Sequence, residues 1–204
     1  MMKCSNHYQH FALNASNCII DINNVDCLNE RYFCPYCHNE MIAKRGNIRQ
    51  WHFAHKVDRC SYDKYLHSIA EIMIMNWFNQ KKQILLSMKT YEKCDKYDNC
   101  IFHDEKDCKM PKTIQFDLKK YYSNCIIEHK YEGFVADLYC ENKTNSNQPI
   151  FIEIFVTHEC TQEKKESGIR IIEIKIQSEE DILSIVNSTS LDEGEKNRLY
   201  NFRR

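Results

Sequence analysis

A chain of 204 residues with 43% apolar side chains has room for one good-sized domain, or for a core domain with a small accessory module. Only 4 Gly and 3 Pro exclude a fibrous or linker-rich chain, and a net charge of −1 excludes coating of nucleic acid by bulk charge while leaving room for a local basic patch. No apolar run approaches the roughly 20 residues that cross a bilayer, and the start, MMKCSNHYQHF, lacks the apolar segment of a secretory signal. A cytoplasmic protein without membrane contact is therefore expected.

In that reducing compartment the 12 Cys read as metal ligands or buried thiols rather than disulfides. Residues 1 to about 30 are polar and weakly patterned, apart from Cys18-Ile19-Ile20. Positive charge then gathers at Arg31, Lys44, Arg45, Arg49, Lys56, Arg59 and Lys64, against Glu40, Asp58 and Asp63. Lys44-Arg45-Gly46-Asn47 sits between two half-apolar runs and reads as a hairpin tip, which would bring the flanking Cys-x-x-Cys and His-x-x-His pairs together.

DKYLHSIAEIMIMNWFNQKK is the clearest helix, with Leu66, Ile69, Ala70, Met73 and Trp77 in one stripe and His67 and Glu71 four apart on its flank. Residues 92–112 are dense in charge and cysteine and read as a loop insertion. Strands follow at Thr113–Leu118, Cys125–His129 and Phe134–Cys140, then a turn through ENKTNSNQ. Pro149–Val156 is apolar on both faces, the mark of a buried strand. A helical piece over Gln162–Ser167, a strand over Ile169–Ile176 and a short helix over Glu179–Val186 complete an α/β core. GEKNRLYNFRR reads as a solvated basic terminus.

Three constellations carry chemistry. Cys34 and Cys37 on a tight turn, with His52 and His55 completing the set and Cys60 as a spare, have the ligand types and separation of a structural zinc clip. Cys94, Cys100, His103 and Cys108, with Cys125 as an alternative fourth ligand, form a looser second set that could hold an apolar-poor insertion together. Asp137 and Glu153 each interrupt an apolar strand, and a buried carboxylate needs a cation, a metal or a set of donors. If their strands form a hairpin, both converge on one divalent ion; the plain alternative pairs each with Lys or Arg.

Taken together, "CPYC…HFAH", a helix bearing "LHSIAE" and "VADLY…PIFIEIFVTHEC…K…GIRIIEIKI" resemble the competence protein CoiA-like family, over roughly residues 31–80 and 131–178. That resemblance implies a zinc-clipped N-terminal module at 1–60 and, at 61–204, a nuclease-like domain with a Cys-rich insertion at about 92–112. The domain would be of the PD-(D/E)XK class, a restriction-endonuclease-like mixed sheet flanked by helices. It further implies that Asp137 and Glu153 hold Mg²⁺ or Mn²⁺ for phosphodiester hydrolysis, with Glu71 a third acidic group. The class expects a lysine two residues after the second carboxylate, where this chain has Phe155. Lys164 is the chosen substitute, Lys175 the second candidate, and Thr157 and His158 are placed to help bind phosphate or metal. Lys44, Arg45 and Arg49 would grip a DNA backbone. The rival expectations are a catalytically inactive nuclease fold that binds DNA or protein, favoured by Phe155, and a metal-stapled scaffold.

Overall fold

Short alternating runs outnumber helical stripes in this chain, and the described residues fold into three sheets with few helices. The computed structural model describes residues 8–25, 30–57, 60–94 and 109–202. The N-terminal part contains β1 (Phe11–Asn14), β2 (Ile19–Asp21), β3 (Tyr32–Phe33), β4 (Glu40–Lys44) and β5 (His52–His55), followed by the long helix α1 (Tyr62–Gln80). Next come β6 (Leu85–Lys93), β7 (Lys109–Asp117), a one-turn helix α2 (Leu118–Tyr121), β8 (Tyr122–Tyr131), β9 (Phe134–Asn142) and β10 (Ile150–Phe155). Helix α3 (Gln162–Glu166), β11 (Arg170–Lys175), α4 (Glu179–Val186), β12 (Ser190–Asp192) and β13 (Asn197–Tyr200) complete the order.

The first sheet runs β2-β1-β3-β4-β5, antiparallel throughout, and Gln9 bridges to Phe53, so β5 curls back onto the start of β1. Its first two strands lie in the stretch that reads as weakly patterned. At four and three residues they are too short for alternation to register, and pairing rather than pattern makes them strands. The Lys44–Asn47 region is the expected hairpin tip, since Lys44 pairs with His52.

The central sheet is β13-β11-β10-β9-β8. β8 and β9 form a hairpin whose turn, Glu132-Gly133, has φ of 48° and 85°, the pair of left-handed residues that a tight two-residue hairpin requires. β10 and β11 lie parallel, joined by α3, which ends on Gly168 at φ 82°. Both strands are buried on both faces, as expected for neighbours in the middle of a sheet. The GEKNRLYNFRR segment is not a solvated terminus: Asn197–Tyr200 pairs antiparallel with β11 and buries Leu199. A third sheet, β12-β6-β7, holds the stem of the insertion. Lys93 pairs with Lys109, so the ends of the expected 92–112 loop are strand, while residues 95–108 lie outside the described region.

Helix α1 shows why its stripe matters. Tyr65, Leu66, Ile69, Ala70, Ile74, Trp77 and Phe78 are buried in one core shared with Ile22, Phe53, Leu138, Ile152 and Ile172. Two polar side chains lock this packing. Asn79 donates to the Cys125 carbonyl at 2.9 Å and accepts its N–H at 2.8 Å, satisfying backbone groups of β8, the edge strand of its sheet. The Tyr65 hydroxyl bonds the buried carboxylate of Glu179, which also takes the His10 N–H at 2.9 Å and its imidazole at 2.6 Å. Tyr65→Phe removes one donor to that buried carboxylate and the hydroxyl's bonds to the Phe11 backbone, so urea unfolding should show a loss of about 1–3 kcal/mol.

Candidate metal centre and acidic cleft

Four ligands converge where the first sheet meets α1. Cys34 follows β3, and the Cys34–Cys37 turn closes through His38 N–H on the Cys34 carbonyl at 3.0 Å, with His38 left-handed at φ 55°. His55 ends β5, and Cys60 stands one residue before the Ser61 cap of α1. Cys34 Sγ lies 3.6 Å from Cys60 Sγ, Cys37 Sγ 3.2 Å from His55 Nε2, and Cys60 Sγ 3.5 Å from the same nitrogen. Tetrahedral zinc spaces sulfur and nitrogen ligands about 3.5–3.8 Å apart, so this donor set fits the ion in both chemistry and size. Burial pushes the Cys34 thiol up and the Cys60 thiol up to about 12, Cys60 being raised further by Cys34 beside it. A bound cation must displace those protons.

His52 is not in this cluster, and Cys60 takes the fourth position. The physical reason is strand parity. His52 and His55 are three apart on β5 and so leave opposite faces, whereas the finger-like spacing assumes a helix. His52 bonds the Gln50 carbonyl at 2.8 Å and packs on Tyr8 at 4.5 Å. Of the second set, Cys94 is described and half-buried, while Cys100, His103 and Cys108 lie outside the described residues. Cys125, its alternative fourth ligand, is buried opposite Cys140 in the β8–β9 ladder.

A cleft of about 460 Å³ lies beside the central strands, lined by His67, Asp137, Glu153, Thr157, His158 and Lys164 among others. β9 and β10 stay in register only as far as Leu138 opposite Ile152. Past that point Asp137 Oδ2 accepts the Ile154 N–H at 2.8 Å, replacing a missing ladder partner and placing a carboxylate where the strands part. Glu153 is 7% exposed. Its Oε2 accepts from Lys164 Nζ at 2.6 Å, while its Oε1 is buried with no hydrogen-bond partner among the described residues. Burial, reinforced by the Asp137 charge and opposed by Lys164, lifts the Glu153 carboxyl to about 7.

Lys164, 9% exposed on the single-turn α3, also donates to the Val135 carbonyl at 2.6 Å, so its ammonium is pinned at the junction of β9, β10 and α3. Lys175, by contrast, lies across from Phe155 with Nζ over that ring, away from Glu153.

Two side chains outside the expected set shape this cleft. His67 stands between Asp137, with Nε2 at 3.4 Å, and Glu71, with Nδ1 at 3.5 Å, and hydrogen bonding to both, Asp137 first, raises its imidazole to about 10. The three groups lie close enough to hold a metal ion. Glu71 therefore reaches Asp137 through His67, and its own carboxyl is raised by burial. The helical i, i+4 spacing of His67 and Glu71 was the available signal for this pairing. Glu173, 1% exposed, braces the loop ahead of α3 by accepting the Cys160 N–H at 2.6 Å. Of the hairpin cations, Lys44 and Arg49 are exposed, but Arg45 is engaged, donating to the Val25 carbonyl and stacking 4.2 Å above Trp51.

Fold and site together define a mixed α/β protein with a Cys₃His cluster able to hold a metal ion and a separate acidic cleft. Residues 20–63 match the family model for competence protein CoiA, N-terminal domain. The match contains all four clustered ligands and bears out the resemblance in the N-terminal segment; the central sheet lies outside it. No curated protein and no solved structure matches the chain. No helix among the described residues is long and apolar enough to cross a membrane.

Proposed function

We propose that this protein is a metal-dependent nuclease of the PD-(D/E)XK class acting on DNA phosphodiesters in a competence-related process, such as DNA uptake, processing or defence. The observation that carries the reading is the meeting of Asp137, Glu153 and Lys164 in one cleft, with a buried Glu153 oxygen that has no hydrogen-bond partner among the described residues. The order α1, β8, β9, β10, α3, β11, with acids on the two central antiparallel strands, supports the same class.

Asp137 and Glu153 are hard oxygen donors and would hold Mg²⁺ or Mn²⁺, which supplies charge neutralisation at phosphate and a more acidic water. Lys164 substitutes for the lysine that Phe155 replaces. Its ammonium orients Glu153 and stands ready for negative charge developing on a phosphate in the cleft. Thr157 and His158, exposed at the rim, can contact a substrate phosphate. Lys44 and Arg49 would fix position on the backbone without reading sequence.

Purified protein with Mn²⁺ should nick plasmid and cut single-stranded oligonucleotides. Asp137→Ala and Glu153→Gln should reduce cutting to background with the fold intact, and Lys164→Ala should slow it about 100- to 1,000-fold. Full activity in the carboxylate variants would remove the assignment. A second reading, an inactive nuclease fold that only binds, is favoured by the way the chain's own Lys164 and His67 already face the acids. It is supported if DNA binding with a steep salt dependence persists while no divalent ion yields cleavage.

A further inference from the structure

The tip of the β4–β5 hairpin has a property that backbone gripping does not use. From Met41 to Val57 there is no acidic residue, while Lys44, Arg45, Arg49 and Lys56 are all present. The tip is braced from within: Arg45 spans the Val25 carbonyl and the Trp51 ring, and Trp51 Nε1 donates to the Gly46 carbonyl at 3.2 Å. At the apex of this braced loop stands Ile48, 98% exposed, next to the exposed Arg49 and across the loop from Lys44. A β-branched apolar side chain held out to water costs solubility without contributing to the fold, and here it is ringed by cations.

We infer that Ile48 is a wedge that enters a base step of duplex DNA, with Lys44 and Arg49 on the flanking phosphates. An anionic surface is required by the charge, and the apolar apex requires that the surface open to a small aliphatic group. Base steps that are mismatched or easily unstacked do so, and apolar wedges among basic residues are the general device for exploiting them. A bilayer also offers anions and an apolar interior, but stable attachment there needs far more buried apolar area than the apex isoleucine supplies: Trp51 is committed to Arg45 and Gly46, and the exposed Ile42 and Val57 lie down the strands from the tip. The substrate class is thus a duplex with a weakened step, such as a mismatch, nick or junction. The inference rests on the DNA-acting reading above and names where on DNA the protein settles.

The test uses the full, zinc-loaded chain without added Mg²⁺ or Mn²⁺, so that binding is read apart from cleavage. The probes are duplexes carrying 2-aminopurine beside either a paired or a mismatched step. Wild type should bind the mismatched duplex about tenfold tighter and raise 2-aminopurine fluorescence on binding, the sign of unstacking. Ile48→Ser, at a site with nothing to unpack, should keep its zinc and its affinity for the paired duplex within about twofold. It should lose both the preference and the fluorescence rise. An Ile48→Ser variant identical to wild type, or binding without unstacking, overturns the wedge. So does Ile48-dependent attachment to phosphatidylglycerol vesicles in place of DNA. Unstacking without any cleavage in the Mn²⁺ assay would sink the nuclease reading alone, and cleavage without unstacking would sink the wedge alone.

Discussion

Cys60→Ser is expected to lower zinc content by one ion per chain and to unfold the N-terminal sheet, whereas His52→Ala should change neither. The asymmetry follows from geometry. Cys60 Sγ lies within 3.6 Å of Cys34 Sγ and 3.5 Å of His55 Nε2, while His52 faces Tyr8. Beyond the core it shares with α1, the sheet has little else to hold it. Its strands are two to five residues long, below the length at which strands pair stably without outside support. Structural zinc contributes about 10–16 kcal/mol in small modules at neutral pH, so loss of one ligand is a loss of several kcal/mol. Because Cys60 directly precedes α1, that loss should also loosen the start of the helix that carries His67 and Glu71. Metal analysis by mass spectrometry and thermal melting read both effects. Zinc affinity should rise with pH, since burial holds the Cys60 proton up to about 12 and binding must release it. Retention of zinc by Cys60→Ser, or its loss from His52→Ala, would refute the ligand set.

Lys164→Ala is expected to destabilise the protein by about 3–5 kcal/mol at pH 8 and by much less at pH 5. Lys164 is the buried partner of Glu153, and its removal leaves a carboxylate nearly enclosed in apolar surroundings beside Asp137. Glu153 has a folded pKa of about 7 against an ordinary value of 4.5. Between those values the folded state holds a proton that the unfolded state has released, so this group's contribution falls as pH rises from about 4.5 to 7 and is constant above. Without Lys164 the folded value climbs further, and the loss extends to higher pH. At pH 5 Glu153 is neutral with or without its partner, which removes most of the penalty.

His67 acts in the same direction for another reason. Its imidazole is held at about 10, above the usual 6.5, so the stability it adds is full below about 6.5 and fades toward pH 10. Each variant is therefore compared with wild type at the same pH by urea unfolding. Adding Glu153→Gln to Lys164→Ala should recover most of the pH 8 loss, because the uncompensated charge is gone. An equal loss at both pH values, or no recovery in the double variant, would contradict the buried pair.

The amino-acid sequence by itself determined what local spacing controls. The apolar stripe from Leu66 to Trp77 made a helix over Tyr62–Gln80, and Glu179–Val186 formed as the pattern required. Apolar character on both faces placed β10 inside a sheet, and Cys34-Pro35-Tyr36-Cys37 forms the tight turn its spacing suggests. Tertiary structure alone decided the partners. Whether His52 or His55 ligates depends on the parity of a strand, and Cys60 joined because α1 starts against the knuckle. The parting of β9 from β10 at Asp137, the reach of Lys164 onto Glu153 and the place of His67 between two acids all come from pairings between residues far apart in the chain. So does the pairing of Asn197–Tyr200 with β11. Periodicity records how a segment meets its neighbours within a few residues. Register and strand order are set by the burial of the whole core, which no single segment encodes.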